Sequence, residues 1–345
     1  MWKPEPSDVD LRYLVEQDQL TEDGLLQAYR TMCTIRAFEE AIAERYAVGK
    51  TPRFDMASGP IRGEMHLAVG QEAVAVGVCP LLEAKDAVVS THRPHHHALA
   101  KGVDPGRLAA EIFGRQTGLC QGKGGHMHLF DRELNFACSG IVGASFPQAA
   151  GAAFAFRHRG EPRVAVAFAG EGAANHGTFA ETLNAAVLWQ LPLVIVIEDN
   201  LYADSTPKWA GLAQPHQFQR ALGYNLPAYL VDGMDVMDVR RAARRAIEQA
   251  RQGRGPSVIE AVCYRYRGHF EGDAEEYRTR EELERWRALD PISRLGGRLR
   301  RLGWADGDRL ARIEAEARDV VAAAVAFAER SPLPDPGEAL TGVFG

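Results

Sequence analysis

Residues 163–202 constrain the fold of this chain more than any other segment. Residues 163–169 and 193–197 are apolar runs of strand length, and a stretch of helical composition that ends near Gln190 joins them. Two strands that one helix connects form a βαβ unit, and the strands of such a unit lie parallel in one sheet. Predicted strands and helices also alternate along the rest of the chain. The sequence therefore predicts an α/β fold with a mostly parallel sheet.

Polar residues follow both predicted strands of this unit. Glu171 follows the first and Asn200 the second, so both are expected at the carboxyl edge of the sheet, where open α/β sheets bind ligands. A carboxylate and an amide oxygen suit Mg²⁺, and a helix that begins after Gly172 would direct free N–H groups at an anion. Thr178 and Glu181 have the spacing of a capping box for that helix. These residues alone leave a second interpretation open, an ordinary buried βαβ unit without a ligand.

The composition excludes several classes of protein. The 345 residues have a formal net charge of −6 that no basic stretch offsets, which argues against a nucleic-acid partner. The five cysteines are scattered without a C-x-x-C pair, as is typical of core residues in a reducing compartment. Residues 1–7 lack the apolar core of an export signal, and residues 320–328, the longest apolar run, are too short to span a bilayer. We therefore expect a cytoplasmic chain with no membrane partner.

Periodicity and composition predict further elements. One side of a predicted helix over residues 21–46 is apolar, with Leu25, Tyr29, Met32, Ile35 and Phe38. Other helices are predicted over residues 104–113, 148–157, 235–252, 279–289 and 306–328, and a strand over residues 257–263. The first 20 residues are acidic and interrupted by Pro4 and Pro6, so an arm or docking segment is expected there.

Motifs outside the βαβ unit occur in an order that is typical of one family. They are residues 20–26 (LTEDGLL), 36–40 (RAFEE), 66–72 (HLAVGQE), 91–93 (THR), 122–125 (GKGG), 140–143 (GIVG), 231–235 (VDGMD) and 277–281 (YRTRE). Residues 170–200 resemble the thiamine diphosphate motif, usually written G-D-G followed by N-N. Together these motifs resemble the α subunit of the E1 component of 2-oxo acid and acetoin dehydrogenase complexes, from about residue 20 to about residue 336.

The resemblance implies a fold and a domain organisation. The fold would be a doubly wound, mostly parallel α/β sheet of the thiamine diphosphate-binding type. A single domain would cover residues 21–336, between an N-terminal arm (residues 1–20) and a C-terminal tail (residues 337–345).

The resemblance also implies the residues of a cofactor site. Mg²⁺ would hold the diphosphate of thiamine diphosphate, with Glu171, Asn200 and the carbonyl of Tyr202 as metal ligands. The residues expected to contact the cofactor are His92, Arg93, Gly140, Val142, Glu171, Gly172, Ala173, Asn200, Tyr202 and His269. The chain departs from the family here, since the motif has aspartate at Glu171 and asparagine at Asp199. Because glutamate is one methylene longer and Mg²⁺ demands near-ideal octahedral geometry, the turn must shift or the glutamate must bind through water.

Histidines are the candidates for proton transfer. By resemblance His269 would lie near the diphosphate and the reacting carbon and His66 near the substrate, and we interpret both as general acids or bases. The alternative for each is a core histidine bonded to the backbone. By resemblance, His92 and residues 95–97 would lie at the active-site entrance as proton carriers. A zinc site is disfavoured, because no second ligand set at zinc spacing accompanies these histidines. His126 stands where the family commonly has serine.

The resemblance implies a reaction and partners. The enzyme would cleave a carbon–carbon bond next to a carbonyl, in acetoin or a 2-oxo acid such as pyruvate, and pass the acyl or aldehyde unit to a lipoyl group. Partners would be an E1 β subunit in an α₂β₂ heterotetramer and a lipoyl acyltransferase E2. Residues 90–93 with residues 100–102, and residues 267–273, favour the acetoin branch, and Phe270 replaces the phosphorylatable serine of pyruvate-type subunits.

Two other functions stay open from the sequence. A stand-alone thiamine diphosphate-dependent carboligase or a transketolase-like subunit would use the same fold. A non-catalytic scaffold partner without cofactor would be consistent with the departures at Glu171 and Asp199. Residues 54–64 look longer than the usual connection before His66, and they either line the pocket or form a surface loop.

Overall fold

A seven-stranded sheet forms the centre of the protein, in a computed structural model that describes residue 15, residues 20–50 and residues 55–341. Its strands are β1 (Ala87–Ser90), β2 (Phe130–Asp131), β3 (Phe136–Cys138), β4 (Ala165–Gly170), β5 (Leu193–Asp199), β8 (Ala228–Asp232) and β9 (Ser257–Val262). The order is β2-β3-β1-β4-β5-β9-β8, and all neighbours are parallel except β2 and β3. A separate hairpin contains β6 (Tyr202–Ala203) and β7 (Thr206–Pro207). The predicted mostly parallel sheet is confirmed.

Helices connect the strands and cover the sheet. They are α1 (Glu22–Ala47), α2 (Glu72–Val78), α3 (His95–Lys101), α4 (Pro105–Ile112), α5 (Ser145–His158), α6 (Gly177–Leu188), α7 (Lys208–Gly211), α8 (Phe218–Leu222), α9 (Val236–Arg251), α10 (Arg280–Arg287), α11 (Pro291–Leu302) and α12 (Gly307–Arg330). Short 3₁₀ turns lie at Cys79–Leu81, Ala173–Asn175 and Pro336–Leu340.

Side chains alternate between two cores across the central strands, as the pleat of a strand requires. In β4, Val166 and Phe168 pack in the larger core with α1, α2, α9 and α12, whereas Ala165, Ala167 and Ala169 pack in the smaller core under α5 and α6. Both faces of the sheet are therefore covered by helices, which explains the unbroken apolar runs in the sequence. The doubly wound arrangement is confirmed.

The predicted helices are present with shifted ends. The apolar side chains predicted along α1 are all buried, and α5 begins three residues before the predicted start. The predicted capping box is wrong, because His176 is the N-cap of α6 and accepts from the Thr178 N–H, while the Thr178 hydroxyl donates to the Gly143 carbonyl at 3.0 Å. Helix α11 was not predicted, although Asp290 before Pro291 is a typical helix start and caps it.

Several sequence-based expectations concern residues outside the described part of the chain. Most of the expected arm (residues 1–14 and 16–19), residues 51–54 and residues 342–345 fall there. The domain bounds at residues 21 and 336 stay predictions. In the ranges that the structure does cover, no helix is long and apolar enough to cross a membrane. The five cysteines are free, and four of them are buried core residues as expected.

Candidate functional site

Four parallel strands bring the candidate residues to one edge of the sheet. Strand β1 leads to His92 and Arg93, β4 to Glu171, β5 to Asn200, and β9 to the segment of residues 263–273. In the sheet, β2 and β3 lie on one side of β1, and β4 and the later strands lie on its other side. The edge therefore contains a topological switch point. Open α/β sheets bind ligands in the crevice at such a point.

Glu171 and Asn200 lie side by side at this edge. The Asn200 backbone N–H donates to Glu171 Oε2 at 3.2 Å, and the Asn200 amide donates to Gln71 Oε1 at 3.3 Å. Glu171 is 1% exposed, and its Oε1 is buried with no hydrogen-bond donor among the described residues. Burial, and next the charge of Asp199, raise the pKa of Glu171 to about 7. A buried carboxylate oxygen without a donor is costly unless a cation or water meets it.

Gly172 lets the hairpin of β6 and β7 approach the turn after β4. A Cβ built on Gly172 would lie 2.4 Å from Cβ of Ala203, a distance that no real side chain tolerates. A 3₁₀ turn at Ala173–Asn175 follows, and α6 begins only at Gly177. The expectation of a helix directly after Gly172 is therefore corrected, since the first N–H groups at the turn belong to the 3₁₀ segment.

Two buried arginines lie behind the same edge. Arg93 is 4% exposed and donates to the carbonyls of Leu67 and His269, and Arg265 is 2% exposed and donates to Tyr277 Oη at 3.0 Å. Neither forms an ion pair with a carboxylate within the described ranges. Burial, and next the charge of Arg265, lower the pKa of Arg93 to about 9. Two guanidinium groups buried without a carboxylate partner are typical of a site for an anion.

Four imidazoles converge beside these arginines. His66 Nδ1 lies 3.0 Å from His126 Nε2, and the ring centroid of His66 lies 4.7 Å from that of His92 and 5.0 Å from that of His269. His92 Nε2 and His269 Nδ1 are buried and have no hydrogen-bond partner among the described residues. The sequence predicted His66, His92 and His269 as site residues, and the structure brings all three together.

Burial keeps these imidazoles neutral. Burial, and next the charge of Arg93, lower the pKa of His92 and of His269 to about 3 each. The pKa values of His66 and His126 are also below the usual range, with burial as the largest cause. The lowered pKa values favour the neutral form of all four rings near pH 7, in which each ring offers one N–H donor and one nitrogen that accepts a hydrogen bond.

The other histidines of the dense group are not at the entrance. Residues 95–97 are fully buried, which corrects that expectation. His95 Nδ1 lies 3.1 Å from a carboxylate oxygen of Glu39, and His96 Nε2 lies 2.8 Å from one of Glu198. His97 Nδ1 bonds the Ser90 hydroxyl at 2.8 Å. These three imidazoles join α3 to its neighbours, and the His95 ring also lies 5.9 Å from that of His126.

The loop before α5 is open to solvent. The side chains of Ile141 and Val142 are 71% and 56% exposed, and a Cβ at Gly140 would lie 3.2 Å from the His128 ring. This loop therefore combines exposed apolar side chains with a close approach to His128, and the contacts of Gly140 and Val142 to a cofactor ring stay a prediction.

The donor set fits the predicted cofactor and metal. A cation between Glu171 Oε1, the Asn200 amide oxygen and the Tyr202 carbonyl would meet only oxygen ligands, as Mg²⁺ prefers. It would also meet the carboxylate oxygen that lacks a donor. The buried arginines would face phosphate oxygens.

Comparison with known proteins agrees with this geometry. Residues 30–337 match the family model described as the dehydrogenase E1 component. The chain belongs to this family. One relative is the α subunit of acetoin:2,6-dichlorophenolindophenol oxidoreductase from Bacillus subtilis (strain 168), 43% identical over 94% of this chain and 95% of that one. Another is the pyruvate dehydrogenase E1 component subunit α from Rhizobium meliloti (strain 1021), 41% identical over 94% of this chain and 91% of that one. A second acetoin relative, from Cupriavidus necator, is 41% identical over 94% of this chain and 95% of that one.

Membership in the dehydrogenase E1 component family makes the chain part of an enzyme and implies thiamine diphosphate as the cofactor. Sequence reasoning missed Arg265, Gln71 and Lys208 at this site. Arg265 lies in a segment already marked by its position after a strand at the ligand edge. Gln71 lies in the motif of residues 66–72, but its partner Asn200 is far along the chain. The contacts of Lys208 with Asp199 and with Glu260 have no local sequence pattern.

Proposed function

We propose that this chain is the α subunit of a thiamine diphosphate- and Mg²⁺-dependent E1 enzyme. It would cleave a carbon–carbon bond next to a carbonyl, in acetoin or a 2-oxo acid such as pyruvate, and pass the acyl or aldehyde unit to a lipoyl acceptor. The observation that supports this most is the buried Glu171 Oε1, which has no donor within the described ranges and lies beside Asn200 at the ligand edge of the sheet. Calorimetric titration of thiamine diphosphate with and without Mg²⁺ tests it directly.

The site residues would hold different parts of the cofactor and its metal. Glu171, the Asn200 side chain and the Tyr202 carbonyl would hold Mg²⁺, and Arg93 would meet a phosphate oxygen. Gly172 and Ala173 would contact the diphosphate at the turn, while the Gly140 and Val142 backbone would face the pyrimidine together with His92. When bound, thiamine diphosphate supplies a nucleophilic carbon that attacks the substrate carbonyl.

His269 and His66 would move protons in this site. Both rings are neutral near pH 7, since their pKa values are lowered by burial. His269 Nδ1 is buried and has no protein partner among the described residues, so it is available to bond a group of the substrate or cofactor. His66 Nδ1 bonds His126 Nε2, which fixes the orientation of the His66 ring.

Replacing His269 by alanine should reduce turnover far more than cofactor affinity. Proton transfer of this kind contributes about 10²–10⁴-fold to a rate, and the His269 ring is partly exposed, so the variant should fold. Turnover of the assembled enzyme at saturating cofactor measures the effect, with Arg312→Ala on the exposed face of α12 as the control. Wild-type turnover in His269→Ala would remove His269 from the proposed chemistry.

Replacing His92 by tyrosine should make the fold less sensitive to acid. The pKa of His92 is lowered to about 3, whereas the unfolded side chain titrates near ~6.5. As the pH falls through that range the unfolded state binds a proton that the folded state does not, so stability decreases by up to about 1.4 kcal/mol per pH unit. Urea unfolding at about pH 7.5 and about pH 5 should show a smaller difference for His92→Tyr than for the wild type. An unchanged difference would contradict the neutral assignment.

Acetoin is the proposed substrate class ahead of pyruvate. Thr91, His92 and Phe270 support the acetoin branch, and relatives with both names match at similar identity. We also propose an E1 β subunit in an α₂β₂ heterotetramer, a lipoyl acyltransferase E2 and a cytoplasmic location. A substrate screen of the α/β pair with an artificial electron acceptor tests the branch, and faster turnover of pyruvate than of acetoin would reverse it.

A further inference from the structure

The segment that follows β5 has an unusual backbone. Residues 200–207, which we call the ligand loop, contain Asn200 and Tyr202, two of the proposed metal ligands, and the hairpin of β6 and β7. Leu201 has φ 74° and Asp204 has φ 56°, both in the left-handed region that residues other than glycine rarely adopt. Such strained residues persist only where the surrounding structure fixes them.

Lys208 connects both ends of the ligand loop. Its backbone N–H donates to the Leu201 carbonyl at 2.8 Å. Its side-chain Nζ donates to Asp199 Oδ2, immediately before the loop, and to Glu260 Oε1 of β9 at 3.2 Å. Both carboxylates are fully buried, so the ammonium group offsets charge that water does not reach.

Asp199 turns its second oxygen towards the same loop. Asp199 Oδ1 accepts from the Leu201 N–H at 3.3 Å, at the residue whose φ is positive. The Asp199 carboxylate is therefore used on both sides, by the backbone of the loop and by Lys208. This accounts for an aspartate at a position where the family motif has asparagine, without giving it a role as a metal ligand.

We infer that Lys208 is a positioning residue, which through Asp199 and Glu260 holds the ligand loop in the conformation that presents Asn200 and the Tyr202 carbonyl to the metal. The inference rests on the proposed function for the identity of the ligand. The arrangement itself is visible in the chain, since the loop also packs on Gly172 through Ala203 and accepts a hydrogen bond from Arg265 at the Asp204 carbonyl, 3.3 Å away.

The experiment compares variants in the assembled α/β enzyme with thiamine diphosphate and Mg²⁺. Lys208→Met keeps the backbone hydrogen bond and removes the ammonium group that joins Asp199 to Glu260. In the described part of the chain Glu260 then keeps only His216, at 3.3 Å, and the Phe218 N–H, and the side of Asp199 away from Leu201 loses its donor. The substitution should raise the Mg²⁺ concentration for half-saturation with cofactor by about 10-fold or more, in the range that outer-shell partners of a metal contribute. Amides of residues 201–206 in the cofactor-free chain should exchange faster with deuterium. Lys85→Met, at an exposed lysine, is the control and should change neither.

Rescue distinguishes positioning from a general loss of stability. In the double variant Lys208→Met, Asp199→Asn, the asparagine oxygen still accepts from Leu201 and its amide can donate to Glu260. The Mg²⁺ concentration for half-saturation should therefore return to within about threefold of wild type. That recovery would show that the effects of the two substitutions are strongly coupled. Lys208→Arg should stay close to wild type, because it keeps the charge.

Three results would overturn the inference. They are a wild-type Mg²⁺ requirement in Lys208→Met, no recovery in the double variant, and tighter Mg²⁺ binding in Lys208→Met, which would make Asp199 a metal ligand that Lys208 blocks. If the wild-type enzyme takes up neither Mg²⁺ nor thiamine diphosphate, the proposed function fails. The deuterium exchange of the ligand loop still decides whether Lys208 holds it.

Discussion

Glu171→Ala should abolish Mg²⁺-dependent binding of thiamine diphosphate. Glu171 is the only charged side chain among the three proposed ligands. The residue is 1% exposed, and its Oε1 has no hydrogen-bond donor in the described ranges. Outer-shell partners of a metal already contribute about 10–100-fold to affinity, so the loss of a direct charged ligand should exceed about 100-fold. Calorimetric titration at limiting Mg²⁺ measures the loss, with Glu181→Ala on the exposed face of α6 as the control.

Glu171→Asp examines how the site accommodates the longer side chain. The Asn200 N–H donates to Glu171 Oε2 at 3.2 Å, a contact that a carboxylate one methylene shorter would lose. If the turn has adapted to glutamate, the aspartate variant should bind Mg²⁺ and cofactor more weakly. Unchanged affinity in Glu171→Ala would refute the metal assignment outright, and tighter binding in Glu171→Asp would refute the adaptation.

The isolated chain should be inactive and should bind the cofactor weakly. By the proposed assignment the motifs of this chain would supply diphosphate and metal ligands. None of them matches the glutamate that activates the aminopyrimidine, which by resemblance belongs to the β subunit. The proposed pyrimidine side of the site would lie at the loop where Ile141 and Val142 are exposed. Adding the β subunit should restore turnover and tighten cofactor binding, because the site would then be completed at an interface.

An exposed apolar patch lies at the C-terminal ends of α5 and α6, which lead back to the amino edge of the sheet, away from the site. Phe154, Leu188 and Trp189 are 47%, 70% and 49% exposed, and the rings of Phe154 and Trp189 lie 5.4 Å apart. Exposed apolar patches of this kind mark interaction sites, and α5 contributes Phe154 to this one. Sedimentation of the purified chain with and without the β subunit should show a shift to α₂β₂. Full turnover by a single polypeptide would favour a stand-alone enzyme.

Local sequence signals predicted the βαβ unit, the parallel sheet and the burial of the α1 apolar side. Each of these depends on periodicity within one segment. The carboxyl ends of neighbouring parallel strands must also meet at one edge, so the approach of Glu171 to Asn200 followed from the topology alone. The motif residues His66, His92 and His269 were predicted by resemblance, and their distances agree with a common site.

Long-range partners could not be predicted in the same way. The resemblance predicted residues 95–97 at the active-site entrance. Their partners Glu39 and Glu198 lie in other elements, and the contacts with them hold the imidazoles in the core. The role of Asp199 depended on Lys208 and Glu260, which no local pattern connects to it. The capping box failed because the His176 side chain competes with Thr178 for the end of α6.

The central claim is that this chain and a β subunit together form a thiamine diphosphate-dependent E1 enzyme. The most direct measurement is the reduction of an artificial electron acceptor by the reconstituted pair, with acetoin or pyruvate as substrate, and with thiamine diphosphate and Mg²⁺ added or withheld. We expect turnover only when both subunits, the cofactor and the metal are present, and loss of that turnover with Glu171→Ala. Turnover that persists without thiamine diphosphate, or none with any carbonyl substrate in the complete mixture, would contradict it.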